Sequence, residues 1–276
     1  MLKKSEDLNG NNRPIGIFDS GIGGLTVLKE IMKKLPHENT IYLGDTARVP
    51  YGIRSPETVI KYSFENTKFL FSRGIKILVI ACNTASSVSL DAIKNSISIP
   101  VIGVIEPGAK AAVKATRNKR VGIIGTDATI TSNAYTNVIK ALDEHIEVFG
   151  FPCPLFVPLV EEGWTDGNIA TLIARRYLNN MKKKDIDTIV LGCTHYPLLK
   201  TVISKVMGRG IRLIDSAVET SHEIKTILEA MMIVRQGEER PVREFYVTDS
   251  PEKFLKIGER FLGKKIEHIE KIVVGI

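Results

Sequence analysis

The chain has little of what several protein classes need. Its 276 residues include three cysteines, Cys82, Cys153 and Cys193. No C-x-x-C pair occurs, so zinc ribbons and thioredoxin-type centres lack their basic element. No apolar run approaches the roughly 18 residues of a membrane span. The opening stretch, MLKKSEDLNGNNR, has lysines but no apolar segment, which argues against a secretory signal; it reads as a polar, frayed tail. The expected location is cytoplasmic, where a disulfide is not expected. The glycine-rich DSGIGG (19–24) is spaced G-x-G-G rather than G-x-G-x-x-G, and no phosphate-loop lysine follows. Asp19 would also repel a pyrophosphate, so the stretch reads as a tight turn holding an acid. The net charge of +7 permits an anionic partner. However, the basic residues are scattered, with small clusters at RNKR (117–120) and KKK (182–184), and there is no basic stripe interleaved with aromatics. Nucleic acid is therefore not the expected partner.

What is present is ordinary globular material, 43% hydrophobic and 25% charged, in a chain long enough to bury a sizeable core. Short apolar runs lie at 15–18, 40–43, 76–81, 99–104, 121–125, 146–149, 188–191, 211–214 and 245–248. They are β-branched and nearly continuous in hydrophobicity, as parallel strands buried on both faces are. Helical stretches fill the gaps. Over 56–73, Ser55 is placed to cap, Pro56 takes the first helical position and Gly74 ends the helix. A second helix starts after Asp249 or Ser250 with Pro251 and ends at Gly263. Repeated β-α-β units imply a doubly wound α/β fold.

The element order repeats. In each half a strand, helix, strand, long loop, helix and third strand lead to a cysteine, Cys82 or Cys193. Ser20 precedes Cys82 by 62 residues and Thr126 precedes Cys193 by 67. The expected organisation is two pseudo-symmetric α/β domains with parallel sheets. The first comprises 1–105 with 216–276, and the second 106–215.

Ligands of open α/β sheets bind beyond the carboxyl ends of the strands. Those positions hold DSGIGG, GDTARVPYG (44–52) and CNTAS (82–86) in the first half, and GTDAT (125–129), PLVEEG (158–163) and CTHYP (193–197) in the second. Each of the two cysteines is expected at a helix N-terminus, which lowers a thiol's pKa. A lone cysteine reads as a small buried hydrophobe, and Cys153, between prolines, stays structural. Cys82 and Cys193 at equivalent ends of related halves point instead to two thiols facing one substrate across a cleft. Such a pair suits removal of a proton from carbon on one face and its return on the other, which inverts a stereocentre. Asp19 beside Cys82 and His195 beside Cys193 are placed to assist. Asp45 and Glu161, in the loops after the second strand of each half, are candidates to bind an ammonium group or tune these helpers. A metal bound by Cys193 and His195 would need further ligands from Asp19, Asp45 or Glu161.

GIFDSGIGGLTV (16–27), YLGDTARVPYG (42–52), ACNTAS (81–86) and LGCTHYPLL (191–199) occur in this order, with PLVEEG and IDSA (214–217). With these motifs the chain resembles the cofactor-independent aspartate/glutamate racemases, from about residue 14 to its end. The resemblance implies two α/β domains with substrate between them, and neither pyridoxal phosphate nor metal. It implies that Cys82 exchanges the α-proton of D-glutamate and Cys193 that of L-glutamate, assisted by Asp19 and His195. Asp19, Ser20, Pro50, Tyr51, Gly52, Asn83, Thr84, Thr126, Thr194 and His195 fall on substrate-binding positions, and Asp45 and Glu161 on further acidic ones. His195 favours the glutamate branch, because the aspartate enzymes carry an acidic residue there. The resemblance also implies supply of D-glutamate for peptidoglycan and a homodimer. A racemase for another acidic amino acid such as aspartate, and a regulatory or nucleic-acid-associated binding protein, remain as alternatives.

Overall fold

The computed structural model describes residues 11–237 and 239–275. Most of the polar tail lies outside them. Two sheets form, and every strand pairing in both is parallel.

The first sheet contains β1 (Ile15–Asp19), β2 (Thr40–Gly44), β3 (Ile77–Ile80), β4 (Val101–Gly103), β9 (Arg243–Val247) and β10 (Glu270–Lys271), in the order β10-β9-β2-β1-β3-β4. The second contains β5 (Arg120–Gly125), β6 (Glu147–Pro152), β7 (Thr188–Gly192) and β8 (Arg212–Asp215), in the order β6-β5-β7-β8. The order second-first-third-fourth thus recurs in both, and the repeat read from the sequence is the repeat of the fold. Sheet one extends beyond β2 with β9 and the short β10, a strand the hydrophobic pattern does not announce.

The central strands β1, β3 and β7 are buried at every residue. β6 is not: its residues alternate between exposed and half-buried, because it has a single neighbour at the sheet edge. Its first apolar residues therefore mark an edge strand, not one buried on both faces. Helices cover the sheets. α1 (Leu25–Lys34) packs against α10 (Ser216–Ala230) and α11 (Pro251–Leu262), and α2 (Pro56–Ser72) against α3 (Asn83–Lys94). α4 (Ile105–Ala115) packs against α6 (Ala134–Leu142) and α10, joining the two halves. The punctuation acts as its chemistry dictates. Ser55 Oγ accepts from the Thr58 N–H at the start of α2. Gly263 ends α11 in the left-handed region at φ +73°, where glycine carries no Cβ penalty.

Among the described residues no helix is long and apolar enough to cross a membrane.

Candidate active site

The strand ends of the two sheets meet at a cavity of about 160 Å³. Its walls include Ser20, Pro50, Tyr51, Gly52, Cys82, Asn83, Thr84, Thr126, Cys193, Thr194 and His195. Of the residues singled out in the sequence, Asp19, Asp45 and Glu161 do not line it. Val49, Asp127, Thr129 and Pro158, from the quoted loop motifs but not singled out as site residues, complete it with Ile53, Val157 and others.

Cys82 follows β3 and occupies the N-cap of α3. It is 6% exposed, and its Sγ lies 3.6 Å from the Ser20 hydroxyl. The helix terminus was expected to lower its pKa. Instead burial, and then the charge of Asp19, push the thiol from 9.0 up to about 12, against the Ala85 N–H and Ser20. Each pKa step is worth ~1.4 kcal/mol, so the rise amounts to about 4 kcal/mol. The roughly 0.3–1 kcal/mol that a helix end offers an anion cannot offset it. Asp19 has no exposure; its Oδ2 accepts from the Gly21 N–H at 2.9 Å, and its Oδ1 has no hydrogen-bond partner among the described residues. Burial holds this carboxyl above its ordinary range, against the charge of His195 and the N–H groups of Gly21 and Gly24.

Cys193 differs from the expected setting as well. It follows β7, but no α-helix starts there. A turn leads into the 3-10 helix Tyr196–Leu199, and α9 (Lys200–Met207) begins only afterwards. Its partner is His195, whose Nδ1 lies 3.9 Å from Sγ and 3.5 Å from Thr194 Oγ1. The other ring nitrogen, Nε2, is 3.1 Å from Glu161 Oε1. Burial disfavours the imidazolium, yet the hydrogen bonds and charges of Cys193 and Glu161 outweigh it and lift His195 to about 10. The same contact holds Glu161 below the usual carboxylate range. Glu161 sits at the end of α7 (Phe156–Glu161), not in a loop. Phe156 docks edge-on against Tyr177 and Tyr196, which ties this short helix to the core.

Asp45 is therefore not the counterpart of Glu161. It directly follows β2, is fully buried, and does not line the cavity. Arg48 Nε donates to both its oxygens at 2.9 and 2.7 Å, Thr248 Oγ1 donates at 2.9 Å, and the Tyr51 hydroxyl bonds it too. With its oxygens so engaged, Asp45 anchors Tyr51, which does form the cavity wall.

Contacts across the two halves complete the site, and the sequence does not announce most of them. Thr26 at the start of α1 donates to the Thr194 carbonyl at 2.9 Å. Phe261 of α11 packs edge-on against the His195 ring with centroids 5.2 Å apart. Thr84 and Thr126 share a hydrogen bond of 2.9 Å. A Cβ on Gly23 would lie 2.1 Å from Thr194 Oγ1 and 2.5 Å from His195 Nδ1, so any side chain there would displace the imidazole. This glycine of DSGIGG serves close approach to the opposite half. Among the described residues, no group of three or more His, Cys, Asp or Glu side chains converges as a metal site.

Two parallel-sheet domains of matching strand order, with paired thiols lining one cavity between them, define the class of protein: a two-domain α/β enzyme. Comparison with known proteins makes this specific. The Asp/Glu/Hydantoin racemase family matches residues 20–222. A glutamate racemase of Geobacter metallireducens is 54% identical over 260 residues, covering 94% of this chain and 96% of that protein. Glutamate racemase from Francisella tularensis, solved in complex with D-glutamate, superposes with a TM-score of 0.90 at 42% identity, over 95% of this chain and 98% of that one. The Escherichia coli enzyme, solved with L-glutamate and the activator UDP-MurNAc-ala, gives 0.79 at 29% identity, over 95% and 99%. The chain belongs to the Asp/Glu/Hydantoin racemase family, and it is an isomerase.

Proposed function

We propose that this enzyme interconverts L- and D-glutamate by proton transfer between two thiols and the α-carbon, without a cofactor. One observation carries the reading: Cys82 and Cys193, at equivalent strand ends of the two domains, line the same cavity. From L-glutamate, the Cys193 thiolate takes the α-proton. The C–H bond breaks, an S–H bond forms, and the electron pair left on Cα delocalises into the α-carboxylate. The Cys82 thiol then delivers its proton to the opposite face and becomes the thiolate. D-glutamate leaves, and the reverse reaction exchanges the roles. A protonated His195 supplies positive charge beside Cys193, and Asp19 acts beside Cys82. Ser20, Pro50, Tyr51, Gly52, Asn83, Thr84, Thr126 and Thr194 bind the substrate, while Glu161 and Asp45 act through His195 and Tyr51.

Glutamate as substrate is supported by relatives of that name and by His195. The division of the chain into 1–105 with 216–276, and 106–215, is supported by the membership of the two sheets. We propose also that the enzyme works in the cytoplasm as a homodimer and supplies D-glutamate for peptidoglycan, as its family resemblance implies. The decisive experiment is incubation of either glutamate enantiomer with the protein in heavy water, without added cofactor. Racemisation with deuterium at Cα is expected in both directions; no exchange in either would refute the activity. Aspartate in the same assay tests the sister specificity.

A further inference from the structure

The amide of Asn83 is held by a residue of the opposite domain. Asn83 opens α3 at the end of β3 and lines the cavity. Its Oδ1 accepts a hydrogen bond of 2.7 Å from the Tyr135 hydroxyl, on α6. Its Nδ2 is buried with no hydrogen-bond partner among the described residues. A primary amide accepts at one end and donates at the other, so whichever end is engaged decides which polarity the other presents.

Tyr135 is placed to make that decision. It is 2% exposed and packed closely against two glycines. A Cβ at Gly108 would lie 3.3 Å from its hydroxyl and a Cβ at Gly192 would lie 3.2 Å from its ring. A buried hydroxyl proton needs an acceptor. Asn83 Oδ1 takes that role at 2.7 Å, while the neighbouring Ser216 hydroxyl donates to the Leu191 carbonyl at 3.3 Å. Burial raises the phenol far above its ordinary range, so it stays a donor at any working pH.

We propose that Tyr135 is a positioning residue for substrate binding: by engaging the Asn83 oxygen it leaves the amide N–H₂ as the donor in the cavity, where it takes a substrate carboxylate oxygen. The opposite orientation would face a carboxylate with a carbonyl and cost the phenol proton its 2.7 Å acceptor. Because the two residues belong to different domains, the polarity of this wall is set only when the domains are together. The proposal rests on the racemase reading above.

The test is steady-state racemisation of both glutamate enantiomers by wild type, Tyr135→Phe, Asn83→Ala and the double variant. Tyr135→Phe is expected to raise KM about tenfold with kcat within a few-fold, the effect of losing one enforced hydrogen bond. Asn83→Ala should raise KM at least as much, and the double variant should be no worse than Asn83→Ala. A wild-type KM in Tyr135→Phe, or effects that multiply in the double variant, overturns the assignment. Asn83→Asp keeps an acceptor for Tyr135 and replaces the donor with a charged oxygen, so it reports even if Tyr135→Phe fails to fold. It is expected to raise KM more than tenfold, and an unchanged KM overturns the claim. Wild type without turnover of either enantiomer defeats the racemase reading and this proposal with it. Wild-type turnover with an unchanged Tyr135→Phe KM defeats the proposal alone.

Discussion

The two halves of this enzyme share a backbone plan and differ in chemistry. Each delivers a cysteine from the end of its third strand, but the surroundings are opposite in kind. Cys82 caps a 12-residue helix and sits with a carboxyl that has no exposure and one unpartnered oxygen. Cys193 starts no α-helix and sits with an imidazole that is itself held by Glu161. On the first side burial and a neighbouring anion favour the thiol. On the second, a group raised to about 10 supplies positive charge. In the proposed mechanism, repetition of the fold provides two thiols for the two faces of one carbon. The difference between the halves gives the two thiols different electrostatic settings.

Removing either thiol should break the comparison most. Cys82→Ala and Cys193→Ala are each expected to lower racemisation by about 10³ or more. Cys82→Ala should still wash deuterium into L-glutamate without inversion, through Cys193, and Cys193→Ala into D-glutamate, through Cys82. The opposite pattern would reverse the assignment of faces.

Removing the helpers should sharpen it. Asp19→Asn and His195→Asn should each lower kcat/KM about 10²-fold, equally in both directions because the enantiomers are equally stable. Their effects on stability should differ in sign. His195 binds its proton more tightly folded than unfolded, so its contribution is full below pH 6.5 and is lost as pH rises through about 10. His195→Asn should therefore lower Tm below that range. Asp19 is also raised, so its ionised form opposes folding at neutral pH. Asp19→Asn, which can still accept from Gly21, should raise Tm by ~2–4 °C for each kcal/mol recovered, and more at pH 7 than at pH 4. A fall in Tm would contradict the buried-carboxyl account.

Glu161→Gln keeps an acceptor for Nε2 and removes the charge. His195 should lose part of its elevation, and the alkaline limb of the rate profile should move down by roughly 1–2 pH units. An unmoved limb would assign it to another group. The smallest effect is expected at the third thiol. Cys153 is buried beside the Phe151 carbonyl and lines no part of the cavity. Cys153→Ala should leave kcat/KM unchanged, and a tenfold loss would bring this cysteine into the chemistry.

The strands, their parallel pairing and the pairing of Cys82 with Cys193 were legible along the chain, because they rest on local hydrophobic runs and on a repeat of element order. Ser55, Pro56 and Gly263 act where their side-chain chemistry places them, for they answer to neighbours within a turn. The loop motifs also located the cavity wall, since residues following a strand must emerge at its carboxyl end. Three readings needed the tertiary structure. Asp45 turned from site acid to anchor because Arg48 and Thr248, the latter 203 residues away, converge on it. Glu161 found His195 because α7 docks through Phe156. Cys82 rose rather than fell because burial depends on everything packed around it, which no helix terminus announces. Tyr135 and Phe261 carried no motif at all, and Thr26, inside GIFDSGIGGLTV, carried no sign of its contact with Thr194. The amino-acid order determined which groups stand at the strand ends. Only the packing of one domain against the other decided how far those groups are from water and charge, and so which of them hold protons.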